Sequence, residues 1–181
     1  MKKGILVLFS LVLISSVFAF TTGDMMVGGQ VGFSSEKFNS DAEATNSIEI
    51  MPQFGYFVMD NVCVDGILSF NNWSQDKYSE TDFSIGVGGR YFYNQIYGGL
   101  ALEYTSSSKS EDYDGDKFDY TYTGMYASLK AGYLYPLTSN VFVDMGVRYK
   151  MGLGDYGGDW KGSNEYSNFG IKAGLQVVLG N

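Results

Sequence analysis

Apolar and polar residues alternate one for one along most of this chain. The last stretch is the plainest: in GIKAGLQVVLGN, Ile171, Ala173, Leu175, Val177 and Leu179 share one parity, while Lys172, Gly174 and Gln176 share the other. A β-strand turns successive side chains to opposite faces, so such a segment has one greasy side and one polar side. Seven more stretches alternate in this way, and none has a helical period. Together they predict strands over 24–34, 47–59, 62–73, 81–93, 96–106, 119–135, 141–152 and 166–179.

The intervals between these strands alternate in length. Asp60-Asn61, Asn94-Gln95 and the stretch 136–140 are tight turns of the hairpin kind. The other intervals, 35–46, 74–80, 107–118 and 153–165, are longer and polar. Short turns at one end and long loops at the other, over an even number of strands, is the pattern of a membrane-spanning barrel.

The two faces support that pattern. Laid alternately up and down, the apolar parity collects Phe33, Phe70, Phe83, Tyr104, Tyr149 and Phe169 at the long-loop end. Tyr56, Tyr91, Tyr93, Tyr133 and Tyr135 collect at the tight-turn end, with aliphatic residues between. Two aromatic belts around an aliphatic band suit the two lipid–water interfaces. The opposite parity carries Glu49, Asp65, Arg90, Glu103, Lys130, Asp144, Arg148, Lys150 and Lys172 among small polar residues. Opposite charges in one narrow interior should pair, because a lone buried charge is very costly. Their heights above the turns place Asp65 near Arg90 and Lys130 near Asp144. The competing arrangement turns the aliphatic parity inward, as in a soluble lipocalin-like barrel that holds a hydrophobic ligand.

The N-terminus adds export. Lys2 and Lys3 precede an apolar run from Ile5 to Phe18, and a small-residue cleavage point follows Ala19. That run is too short for a membrane helix, which needs about 20 residues. Residues 1–19 are therefore expected to be a secretory signal peptide and 20–181 the barrel domain. Losing the leader with its two lysines takes the net charge from −8 to −10. So acidic a chain is a poor partner for nucleic acid. Cys63 is the only cysteine, which excludes an intrachain disulfide and suits a small interior filler.

From these residues the chain resembles the small eight-stranded outer-membrane barrels of Gram-negative bacteria, the OmpX-like and OmpA transmembrane-domain class. The resemblance covers the whole chain after the leader and is one of pattern. It implies an all-β fold: an eight-stranded antiparallel up-and-down transmembrane β-barrel with short periplasmic turns and long extracellular loops. Members end on an assembly signal read by the barrel-assembly machinery, and Lys172, Gly174, Val177 and Leu179 occupy its places. Such chains usually finish on an aromatic residue, whereas this one continues to Gly180-Asn181. The resemblance also implies outer-membrane lipid and lipopolysaccharide as surroundings, and an extracellular partner reached through the loops.

Candidate chemistry is sparse. The chain has no histidine, which removes any Ser-His-acid triad. Ser106 to Lys109 spells Ser-x-x-Lys, but in a serine-rich loop rather than at the start of a helix. Asp112, Asp114 and Asp116 could offer oxygens to a divalent cation. However, the glycine sits fourth rather than sixth and no bidentate Glu follows, so a solvated loop tip is expected. Trp73, Trp160, Tyr78 and Tyr156 decorate the loops, either as the fringe of the aromatic belt or as an adhesive tip. No cofactor and no catalytic residue is expected. The expected function is that of a non-enzymatic envelope protein whose acidic surface loops serve adhesion or interaction. The alternatives are a narrow channel for ions or small solutes, and the soluble ligand-binding barrel.

Overall fold

Alternation becomes a closed cylinder because each of eight long strands finds two antiparallel neighbours. The computed structural model describes residues 19–36, 45–75, 78–113, 116–159 and 161–180. The side chains of 34–36, 45–46, 74–75, 78, 111–113 and 116–117 are not described. The expected signal peptide therefore lies outside the described residues, apart from Ala19. So do Trp160, Asp114 and the side chains of Tyr78, Asp112 and Asp116.

The strands are β1 (Met25–Glu36), β2 (Thr45–Met59), β3 (Val62–Gln75), β4 (Tyr78–Tyr93), β5 (Ile96–Tyr113), β6 (Asp116–Pro136), β7 (Val141–Gly158), β8 (Gly162–Ser163) and β9 (Ser167–Leu179). Each of β1 to β7 pairs with the next, β7 pairs with β9, and β9 returns to β1 from Met25↔Leu179 to Phe33↔Ile171. Eight strands thus form a ring, and the two-residue β8 pairs beside it on β7. A closed ring removes the unpaired edges that would otherwise invite other chains.

Asparagine makes the tight turns possible. Asn61 and Asn94 sit at φ 62° and 55°, a region that asparagine tolerates better than most residues. The third turn is held by Thr138, whose Oγ1 accepts from the backbone N–H groups of Asn140 and Val141 at 3.3 and 3.1 Å.

The apolar parity points outward. Val31, Phe33, Ile48, Ile50, Ile85, Val87, Leu100, Leu129, Phe169, Ile171 and Leu175 are all exposed, each among apolar neighbours on the same face. At the other end of the fold the strands run further than the apolar pattern marks. β3 and β4 stay in register to Gln75↔Tyr78, and β5 and β6 to Tyr113↔Asp116. The stretches 74–80 and 107–118, expected as loops, are therefore mostly paired strand. Tight antiparallel pairing carries the strands on, but these residues are polar at both parities, so no alternation betrays the strand.

Candidate functional site: the lumen and its outer mouth

The interior is filled in layers, beginning at the tight-turn end with an aromatic plug. Phe20 stacks on Phe57 at 4.9 Å between ring centroids and meets Phe92 and Phe142 edge-on at 4.8 and 5.9 Å. Met26, Cys63, Tyr97 and Leu134 complete this buried cluster. The segment that carries Phe20 is pinned beneath the barrel. The Phe57 N–H donates to the Asp24 carbonyl and the Gly23 N–H to the Phe57 carbonyl, both at 2.9 Å. The backbone and hydroxyl of Thr22 both donate to Asp60 Oδ1, which holds the Asp60 carboxyl below its usual range.

Above the plug, Arg90 grips Asp65 with two teeth, Nε to Oδ2 and Nη2 to Oδ1, both at 2.7 Å. Its guanidinium also lies 5.3 Å from the ring centroids of Phe92 and Tyr97. Next comes a closed hydrogen-bonded circuit across the lumen. The Tyr97 hydroxyl donates to Asp144 Oδ1 at 2.8 Å, and Gln176 Nε2 donates to Asp144 Oδ2 at 3.1 Å and Gln53 Oε1 at 3.4 Å. Gln53 Nε2 donates to Gln30 Oε1, and Gln30 Nε2 returns to the Tyr97 hydroxyl. Met51, Ile67 and Ala101 form a second small apolar cluster.

Toward the opposite end, where the long hairpins β3–β4 and β5–β6 project (the hairpin end below), lies an ionic network. Arg148 pairs with Glu49 at 2.8 Å and with Glu103, and Lys172 pairs with Glu49. Ser128 donates to Glu103 Oε1 at 2.6 Å. Lys150 sits 3.8 Å from Glu103, donates to Thr105 at 3.2 Å and lies 4.3 Å from the Tyr126 ring centroid. All nine charged residues of the polar parity therefore lie inside, and seven of them meet an opposite charge within 4 Å. The exceptions are Lys130 and Asp144. Their expected pairing does not form, because Lys130 lies opposite Arg148 while Asp144 lies opposite Leu134, a full four residues along β6. Height above the turns misjudges this pair; the strand register decides it. Asp144 takes Tyr97 and Gln176 instead, and the buried Lys130 Nζ has no hydrogen-bond partner.

Above the network a cavity of about 200 Å³ opens at the hairpin end. Its floor carries Arg148, Lys150 and Lys172, and its upper wall Asn71, Trp73, Glu80, Asp82 and Tyr122. Glu80 joins two aromatic side chains there. Trp73 Nε1 donates to its Oε2 at 3.2 Å, and the Tyr122 hydroxyl donates to its Oε1. Burial pushes the Glu80 carboxyl up, and it also raises the Tyr122 hydroxyl, which stays protonated as a donor. Trp73 thus belongs to the lumen wall rather than to an outer fringe. Tyr156 meets Tyr122 edge-on at 5.3 Å.

Other candidates are placed as follows. Ser106 and Lys109 lie on paired strand β5 three residues apart, so they point to opposite faces and cannot act together. Among the described residues, no group of three His, Cys, Asp or Glu is arranged to hold a metal ion. On β9, Lys172 is buried in the lumen and Leu179 is exposed on the outer face, with Gly174 and Val177 on the matching parities. Phe20, Tyr97, the three glutamines and the Asn71–Asp82 pair escape a reading by charge and motif alone. One signal does mark the plug: in GYFVMD, RYFYNQ and NVFVDM both parities turn apolar next to a tight turn.

No family model matches the chain, and no curated protein does. Solved structures do. Outer membrane protein OprG from Pseudomonas aeruginosa superposes with a TM-score of 0.57 at 15% identity, over 89% of this chain and 98% of that one. Ail, the attachment invasion locus protein of Yersinia pestis, gives 0.55 at 12% identity, over 88% and 100%. Neisserial surface protein A gives 0.53 at 18% identity, over 88% and 98%. Layered lumen, outward aliphatic face and ring of eight strands together give this chain the fold of the small eight-stranded outer-membrane barrels.

Proposed function

We propose that the chain is an integral outer-membrane protein without enzymatic activity, exported with residues 1–19 as a cleaved signal peptide. Its barrel contributes to the envelope, and its outward hairpins meet partners at the cell surface. The observation that carries this reading is the exposed apolar face. Ile50, Ile85, Val87 and Leu100 are more than half exposed, with Phe33 and Phe169 beyond them at one end and Tyr91 and Tyr93 at the other. Water would penalise so large an apolar surface, whereas lipid with aromatic residues at both interfaces suits it. On this reading the tight turns face the periplasm. Outer-membrane lipid and lipopolysaccharide surround the barrel, and the assembly machinery reads β9.

The packed lumen argues against the alternatives. The plug and the Tyr97–Asp144–Gln176–Gln53–Gln30 circuit set buried, mutually bonded side chains across the lumen, which disfavours solute flow, and a charged interior is a poor host for a hydrophobic ligand. The names of Ail and Neisserial surface protein A speak of attachment and of the surface, which favours an adhesive role for the hairpins here too.

Spin labels placed singly at Leu175 and Gln176 in reconstituted vesicles test the reading. Oxygen dissolved in lipid should reach the label at Leu175 and not the one at Gln176. A protein that stays soluble without detergent, with neither label meeting lipid, would replace it with the ligand-binding barrel.

A further inference from the structure

Phe118 is a large apolar side chain far from any lipid. It is 58% exposed, yet it lies seven residues along β6 beyond Met125, which pairs with Tyr104 at the aromatic rim. Roughly 23 Å of strand therefore separates it from the interface that would suit a ring. Nor does it stand alone. Phe118, Tyr120 and Tyr122 share one parity of β6 with Tyr126, whose buried ring marks the face turned toward the lumen. Alternate residues on one face of a strand make a row, here about 13 Å long from Tyr122 to Phe118.

The row is built as a wall. The Tyr122 hydroxyl is tied to Glu80, and Tyr156 of β7 meets the Tyr122 ring edge-on at 5.3 Å. Tyr120, Tyr122, Tyr156 and Lys109 line a second cavity of about 200 Å³, and Tyr122 borders the mouth cavity as well, so the two adjoin. The Lys109 ammonium lies 5.6 Å from the Tyr120 ring centroid.

Charge along this wall is balanced. Lys109 and Glu80 face each other across β4 and β5, and the charge of one acts on the other. The adjoining mouth sets Glu49, Glu80 and Asp82 against Arg148, Lys150 and Lys172. Neither a cation nor an anion finds an unopposed partner here, and a hydrocarbon would strand the polar groups between the rings. A ligand with flat C–H faces and a neutral hydroxyl rim matches both features, stacking on the rings and bonding at their edges.

We propose that Phe118, Tyr120 and Tyr122 form a track for a neutral oligosaccharide, with a run of a few hexose units lying along it. The proposal rests on the outward hairpins of the envelope reading and names their ligand class. Because the track looks over the lumen rather than toward the surrounding lipopolysaccharide, the sugar chain reaches it from above, from the glycan coat of another cell.

The full chain in lipid nanodiscs, which leave both ends of the barrel open, tests this. It is titrated with fluorescently labelled hexamers of glucose, galactose, mannose and N-acetylglucosamine, with the matching monomers, and with hexagalacturonate as the acidic counterpart. At least one neutral hexamer should bind saturably, more tightly than its monomer and than hexagalacturonate. Phe118→Ala with Tyr120→Ala should weaken it at least about tenfold, as expected when two stacking rings are lost. Tyr91→Ala, which removes a comparably exposed ring at the opposite end, should leave it unchanged. No saturable binding of any neutral hexamer, tighter binding of hexagalacturonate or an unchanged affinity in the double variant would each overturn the proposal. If the double variant fails to fold, as judged by migration on an unheated gel, Phe118→Ala alone decides, and an unchanged affinity there overturns it equally. A spin label at Leu175 in the same discs separates the two readings. Absent glycan binding with the label in lipid strikes the track alone, whereas a label shielded from lipid strikes the envelope reading and the track with it.

Discussion

Arg90 and Asp65 meet through two parallel hydrogen bonds of 2.7 Å, with the Asp65 side chain wholly buried. They sit on neighbouring strands two residues out of direct register, since Arg90 faces Cys63 and Asp65 faces Gly88, a diagonal that a long side chain spans. Removing one partner strands the other charge. Asp65→Leu should therefore cost about 3–5 kcal/mol, and Asp65→Leu with Arg90→Met should recover most of it. Urea unfolding of the detergent-folded protein measures both; a double variant no more stable than the single one would show that the pair is not the reason.

Phe20→Ala removes the centre of the aromatic plug. The loss should be about 3–5 kcal/mol, as for other large aromatic residues deleted from a packed cluster. Conductance in a planar bilayer should nevertheless stay at zero, because the Tyr97–Asp144 circuit closes the lumen independently. Ion flow through this variant would mean that the plug alone seals the barrel.

The seam between β1 and β9 depends on Gly174. A methyl group there would lie 1.9 Å from the Gly29 carbonyl oxygen and 2.7 Å from the Gln30 Cα, so the strands would have to part. Gly174→Ala should lose about 1–3 kcal/mol or more and refold poorly from urea into detergent, where no assembly machinery acts. Gly98→Ala, with nothing within 4 Å, is the neutral control. Equal refolding of the two would move the role of Gly174 from the seam to recognition by the machinery.

Glu80 lies three residues beyond Phe83 toward the hairpin tip and faces Tyr122, Asp82, Lys109 and Trp73. Burial raises its carboxyl above the ordinary value of 4.5; Tyr122, Lys109 and Trp73 oppose the rise, and Asp82 adds to it. A raised folded value favours the protonated form. Its contribution to stability is full below the unfolded value and is lost as pH rises through the folded one. Trp73 fluorescence in the Trp160→Phe protein should therefore titrate with a midpoint above 4.5, and Glu80→Gln should abolish the transition. A midpoint at or below 4.5 would mean that the hydrogen bonds outweigh burial.

The outward face was legible because period two and lipid-like composition coincide on the same residues. Ile171 and Leu175 on β9 are exposed while Lys172 and Gln176 are buried, as the alternation of the last strand requires. What the pattern hides are features that break its binary code. Phe57, Phe92 and Phe142 occupy the polar parity, where a reading by alternation expects no core. Pairing across the lumen depends on register and shear, which is why Asp65 and Arg90 could be placed from the sequence while Lys130 and Asp144 could not. The cavity wall was hidden for a third reason: Asn71, Trp73, Glu80 and Asp82 come from strand ends polar on both sides.

Those strand ends carry a mechanical consequence. β5 continues from Tyr104 at the aromatic rim to Tyr113, paired with β6 throughout, which is about 30 Å of sheet along the strand. A hairpin of that kind is a stiff mast rather than a tether. A partner that docks on it need not freeze a wandering loop, so little of its contact energy is consumed in ordering the chain. The same stiffness makes it a shape-dependent epitope: antibodies raised against the folded protein should bind the intact mast and ignore its peptides.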